Sequence, residues 1–324
     1  MTKRWLPWLV KGGISFGLIA WVLSKVDLAA AWAEAKSLDP RMALMAVVLM
    51  GMQIALGAVR WGLVLRALSA SLRWLQTFSV YYIGVFFSIV LPGAVGGDAV
   101  RMWFARRQGL TLGTAVNSVA LERAVTVFGL VLLVCLTQPI LLSRLPDLPG
   151  AWVFPVLLAV CVLGILILAI LDRLPESLHR WRVVRGLAIL ATDTRKLFFH
   201  PGYSLITLLV ALAGHINLSM CVYVLATGLG LDVHALDCLV LVPPVILIMT
   251  LPISIAGWGV RETAMVTAFG FVGVAESSAL VLSILFGIIT MATALPGGLV
   301  FLLAGGRRME REELEAEAAE GSRV

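Results

Sequence analysis

Arg101 and Arg261 are the residues in this chain best suited to chemistry, because the same local pattern surrounds both. Residues 91–101 read LPGAVGGDAVR and residues 251–261 read LPISIAGWGVR; laid over each other without a gap they share Leu, Pro, Gly, Val and Arg. Every match carries the same offset of 160 positions (261 minus 101), which marks an internal repeat. A guanidinium is a planar fork of donors that fits phosphate or carboxylate oxygens. Placed deep in an apolar environment it must be paired or hydrated, so a role in binding an anion is the default reading. Four further residues complete the candidate substrate-binding set: Asp98, Glu122, Arg123 and Glu262. Bland roles compete with each of them. Arg101 can pair with Asp98 or Glu122, Arg261 can pair with Glu262, and Asp98 can cap the helix that follows it. Glu122 and Arg123 are adjacent and so project from different sides of a helix, one toward the centre and one toward the surface. Glu262 sits in a first helical turn, where a carboxylate is favoured.

The elements that position these groups are broken helices. In each copy a Pro ends an apolar run, glycines loosen the backbone and the Arg opens the next run. Pro92, Gly96, Gly97, Pro252, Gly257 and Gly259 are accordingly expected to set backbone shape, as hinges or close-approach points. Non-helical backbone within a membrane is tolerated only when it is buried in protein or lines a cavity. Each return arm begins with a helix amino terminus, whose free N–H groups also favour an anion.

The rest of the chain requires a membrane. Of its 324 residues 60% are hydrophobic and 14% charged, and the mean hydropathy is +0.99. The net charge of +6 comes from basic residues flanking apolar runs, which argues for membrane orientation and against nucleic acid. Cys135, Cys161, Cys221 and Cys238 are isolated and read as packing residues. No HExxH, paired-Asp or Ser/His/Asp arrangement is evident, so no metal site, cofactor or catalytic residue is expected. His215 and Asn217 read as hydrogen-bond partners between helices.

Apolar runs at 6–24, 42–59, 116–142, 152–171, 204–226 and 278–304 read as full crossings. The positive-inside rule places five basic regions in the cytoplasm: the amino terminus, an Arg60 to Arg73 loop, Arg106/Arg107, segment 172–200 and the end at Arg307. All five fit only if each motif region enters and returns on one side. The expected fold is an all-α polytopic membrane protein with about six full transmembrane helices plus two re-entrant broken-helix hairpins in an inverted-topology internal repeat. It forms a single membrane domain over 1–306, with repeats at roughly 42–171 and 202–304, a cytoplasmic amphipathic connector at 172–200 and a charged cytoplasmic tail at 307–324.

The runs PGAVGGDAVR, VALERAV and GWGVRE resemble the flippase-like family that includes the transmembrane flippase portion of lysylphosphatidylglycerol synthase/flippase proteins. The resemblance covers nearly the whole chain. It implies a helical bundle with two re-entrant hairpins and the movement of a lipid between leaflets of a bacterial inner membrane, with both termini cytoplasmic. The substrate would be an anionic or zwitterionic glyco- or amino-acyl-phospholipid. It assigns site roles to Asp98, Arg101, Glu122, Arg123, Arg261 and Glu262. The chain ends soon after its last span, so the soluble aminoacyl-transfer domain of two-part relatives is not expected. Two other readings stay open: a membrane partner subunit holding a lipid-modifying enzyme, and a lipid-headgroup transferase in a glycolipid, polyprenyl-lipid or hopanoid pathway. The sequence is compatible with a homo-oligomer.

Overall fold

A computed structural model describes residues 33, 35–91, 96–144, 150–173, 182–250 and 259–321, with backbone alone at 144, 182–185 and 304–321. Among the described residues the secondary structure is helical, with no strand. The expected first span at 6–24 lies outside them, as do Pro92, Pro252 and Gly257.

Helix α1 (Pro40–Ala67) opens with Asp39 as its cap, the carboxylate accepting from the Arg41 N–H at 2.8 Å, and with Pro40 at its first position. It closes where the Ala70 N–H donates to the Leu65 carbonyl at 2.9 Å. Helix α7 (Pro201–Gly228) repeats this design: Pro201 at its start, 28 residues like α1, and the Leu231 N–H donating to the Ala226 carbonyl at 3.0 Å. Between and beyond them lie α2 (Trp74–Val90), α3 (Gly96–Arg107), α4 (Leu112–Arg144), α5 (Val153–Ala169) and α6 (Arg182–Phe198). Then follow α8 (Ala235–Met249), α9 (Val260–Gly270) and α10 (Glu276–Gly321).

The short helices match as well. α3 has 12 residues and α9 has 11, about 18 and 16 Å at 1.5 Å per residue, against the roughly 30 Å of a bilayer core. Each is closed by a left-handed glycine, Gly109 (φ 99°) and Gly273 (φ 80°). There the next N–H, of Leu110 or Val274, reaches back to Ala105 or Phe269.

Among the described residues four helices are long and apolar enough to cross a membrane: Pro40–Ala67, Leu112–Ser143, Pro201–Gly228 and Glu276–Leu303. Trp74–Val90, Val153–Ala169 and Ala235–Met249 are apolar but shorter. The protein is therefore an all-α polytopic membrane protein. α1 and α7 pack along each other, and Met50, Cys221, Leu225, Val242, Met265, Phe269 and Leu282 join α1, α7, α8, α9 and α10 in one apolar core. Cys221 and Cys238 are buried within it as free thiols.

One boundary differs from expectation. The segment from Arg60 to Arg73 is not all loop: α1 continues to Ala67, and Arg60 is buried inside it. A charged side chain continues the helix there because a carboxylate waits for it on α4. At the far end, α10 runs without a break through Arg307 and Arg308 to Gly321, so the charged tail begins as helix.

Connector helix α6 turns Leu197, with Leu190 and Phe198 beside it, onto Val64, Leu121 and Ala211. Three polar contacts fix it. Asn117 Nδ2 donates to the buried Asp193 at 2.8 Å, and Arg195 binds Asp172 at 2.6 Å and the Ala169 carbonyl at 2.5 Å. The Arg195 hydrogen bond lowers the pKa of the Asp172 carboxyl below its ordinary value.

Candidate binding site

The first motif builds an ion network across three helices. α3 can come close to α2 because Gly97 has no side chain: a Cβ there would lie 2.0 Å from Ser88 Oγ and 2.2 Å from the Gly84 carbonyl. This close approach brings Arg101, one turn further on, against Gly84. Arg101 is buried, with Nη2 donating to Glu122 Oε2 at 2.9 Å and lying 3.8 Å from Asp98 Oδ1. Its guanidinium carbon sits 5.1 Å from the Trp61 ring and 5.2 Å from the Tyr81 ring, distances at which a π face attracts a cation. Glu122, 2% exposed, also takes Arg60 Nε at 2.8 Å and Nη2 at 2.5 Å. Beside it Arg123 projects outward, its side chain 53% exposed, and grips Asp98 through Nε at 2.8 Å and Nη2 at 3.2 Å.

Adjacent Glu122 and Arg123 thus do point to different sides of α4. Asp98 lies inside the first turn of α3, two residues past Gly96, and its carboxylate accepts from Arg123; the backbone before Gly96 that it was expected to cap lies outside the described residues.

The second motif builds a more compact site. Gly259 (φ 83°) precedes α9, and its N–H donates to Glu262 Oε2 at 2.6 Å. The other Glu262 oxygen receives Arg261 Nε at 3.0 Å and Nη2 at 2.5 Å. Ser283 Oγ on α10 lies 3.2 Å from Arg261 Nε. The guanidinium rests on α10 at Gly287, where a Cβ would stand 2.3 Å from Arg261 Nη2. Another face of α9 borders a cavity of about 410 Å³ lined by Leu241, Val245, Val260, Thr263, Ala264 and Phe271 among others. Thr263 and Thr267 donate their hydroxyls to backbone carbonyls at 2.7 and 2.9 Å, which leaves the lining apolar.

Every anticipated side chain in the charged set is therefore engaged with another. The bland pairings, Arg101 with Glu122 and Arg261 with Glu262, exist in the fold. His215 Nε2 meets the Thr126 carbonyl at 3.0 Å, and Asn217 Nδ2 donates to the Leu49 carbonyl at 2.9 Å, so both bridge helices. Gly96 begins α3, and Gly97 serves as a packing point.

Sequence reasoning missed Arg60, Trp61 and Tyr81. The available signal was a polar stripe in an otherwise apolar span: Gln53, Gly57 and Arg60 recur at i, i+4 and i+7 on one face of α1. Gly57 makes room for Tyr81, and Gly214 of α7 faces Gln53 and Arg60.

Buried charges survive only when paired, and pairing sets the balance of the site. Around Glu122, among the described residues, three guanidinium groups meet two carboxylates, a surplus of one positive charge. Around Arg261 its neighbour Glu262 supplies one negative charge for one positive. These features define a polytopic α-helical membrane protein with a buried ion network that leans positive. The chain belongs to the lysylphosphatidylglycerol synthase TM region family, whose model matches residues 8–298. No curated protein matches it.

Proposed function

We propose that this protein moves a lipid with a phosphate-bearing, anionic or zwitterionic headgroup between the leaflets of a bacterial inner membrane. The observation that carries the reading is the positive surplus at Arg101. Among the described residues the buried centre of the network, Arg60 and Arg101 around Glu122, holds one more cation than anion, and an anionic headgroup completes it. Arg101 also keeps spare capacity, since its Nε has no hydrogen-bond partner among the described residues.

Two further features support translocation over static binding. α3 and α9 are too short to span a bilayer and each follows a Pro- and Gly-containing stretch of sequence, as the arms of re-entrant hairpins would. Matching closures of α1 with α7 and of α3 with α9 fit a duplicated unit, and the basic flanks orient the two copies oppositely. In this arrangement Arg101 and Arg261 receive the headgroup, with Asp98, Glu122, Arg123 and Glu262 setting its charge. The apolar cavity beside α9 suits an acyl chain. Both termini and the 172–200 connector lie in the cytoplasm, within a single membrane domain over 1–306.

Reconstitution tests this directly. Purified protein in vesicles carrying fluorescent phosphatidylglycerol is expected to expose inner-leaflet label to an external quencher. Arg101→Ala with Arg261→Ala is expected to return the rate to that of protein-free vesicles. An undiminished rate in the double variant would sink the assignment of these arginines to the transport path.

A further inference from the structure

Glu122 divides its two oxygens between different partners. Oε1 is held by Arg60 through Nε at 2.8 Å and Nη2 at 2.5 Å, with Thr126 Oγ1 at 3.3 Å. Oε2 receives Arg101 Nη2 at 2.9 Å. Asp98, the other carboxylate near Arg101, stands 3.8 Å away and is already bound twice by Arg123.

We propose that Glu122 is a built-in anion at Arg101 that a singly charged phosphate replaces, and that Arg60 makes the replacement possible. This rests on the reading that Arg101 receives a headgroup. When a phosphate oxygen takes the Arg101 donors, Glu122 Oε2 is released. The carboxylate is not stranded, because Arg60 still holds Oε1 through two hydrogen bonds. Without Arg60 the exchange would leave an unpaired buried charge, which the interior resists strongly. Arg123 plays the same part for Asp98, keeping it from competing for Arg101. The charge count sets selectivity: a surplus of one positive charge is cancelled by a phosphodiester, whereas a doubly charged phosphomonoester overshoots it. Arg60 is thus a positioning residue, and Glu122 the group that sets which anion is accepted.

The test uses the full chain in phosphatidylcholine vesicles doped with phosphatidylglycerol or phosphatidic acid, with lipid retained by the extracted protein quantified by mass spectrometry. Glu122→Gln removes the competitor and is expected to raise phosphatidylglycerol retention about threefold, while Arg60→Gln lowers it by a similar factor. Combining the two is expected to restore retention to the wild-type level or above, and phosphatidic acid is expected to be retained less than phosphatidylglycerol by the wild type. A purely structural Glu122 gives the opposite sign: retention falling in Glu122→Gln as it does in Arg101→Ala would overturn the proposal. If Glu122→Gln does not fold, the double variant decides alone, since it deletes opposite charges together; retention as low as in Arg60→Gln would then overturn it. Inorganic phosphate separates the sources of the anion. Failure to displace the lipid supports a headgroup, and displacement at amounts equal to the lipid would overturn the headgroup form. Flip rates measured in the same vesicles keep the two readings apart: protein that exchanges Glu122 for lipid without flipping refutes transport alone.

Discussion

Arg101 and Arg261 occupy equivalent places in the two motifs, yet their charges are balanced in different ways. Arg261 is paired with the next residue in the chain, and the same Glu262 accepts from the Gly259 N–H, so that ion pair forms within one turn of α9, with Ser283 of α10 against it. Arg101 depends on a carboxylate 21 residues later, on another helix, which Arg60 on a third helix also claims. The first site therefore records the relative positions of α1, α3 and α4, and the second mainly records the local fold of α9. A repeated motif can keep its guanidinium and still change the electrostatic state around it.

Mutation can break this contrast, and the largest expected effect is at Glu122. Glu122→Ala strips two buried guanidinium groups of their shared partner, and a loss of at least about 3–5 kcal/mol is expected. Glu262→Ala strips one guanidinium and one capping contact, so its melting temperature in detergent is expected to fall less. Equal or greater damage at Glu262 would erase the distinction between a network and a local pair.

Close packing gives a second comparison. Gly97→Ala forces a methyl into the backbone carbonyl of Gly84 and is expected to cost about 1–3 kcal/mol, seen as a lower melting temperature. Gly287→Ala meets the guanidinium end of Arg261 instead of backbone. A side chain yields more readily, so a smaller loss is expected.

The exposed edge of the first site should matter less than its buried centre. A double-mutant cycle on Asp98 and Arg123 is expected to give a coupling of about 0.2–1 kcal/mol, as for other solvent-screened pairs. A coupling as large as that between Arg60 and Glu122 would mean that Asp98 and Arg123 belong to the dry interior.

The smallest effect lies far from either motif, at the Arg195–Asp172 contact that ties α6 to the end of α5. Because the Asp172 pKa is lowered in the fold, the contact stabilises above the ordinary carboxyl range near pH 4 and is lost as pH falls through the lowered value. Limited proteolysis around residues 174–181 checks this. Cleavage is expected to accelerate only below about pH 4, and Asp172→Asn is expected to remove that acid step.

Much of the architecture was legible because it follows from composition and local pattern. Long apolar runs became α1, α4, α7 and α10, and the duplicated motif located both arginines. Arg60 was not legible as a site residue. At the end of an apolar run an arginine reads as the start of a basic loop, and only a partner 62 positions away holds it in the interior.

By itself the sequence determined the class of protein, its long apolar helices and the two guanidinium positions, because apolar length and side-chain chemistry are local properties. Tertiary structure alone decided which carboxylate each arginine meets, that Trp61 and Tyr81 flank Arg101, and that Glu122 is shared by two guanidinium groups while Glu262 pairs with its own neighbour. Coulomb energy and close packing depend on distances between helices, and no reading along a single chain contains those distances.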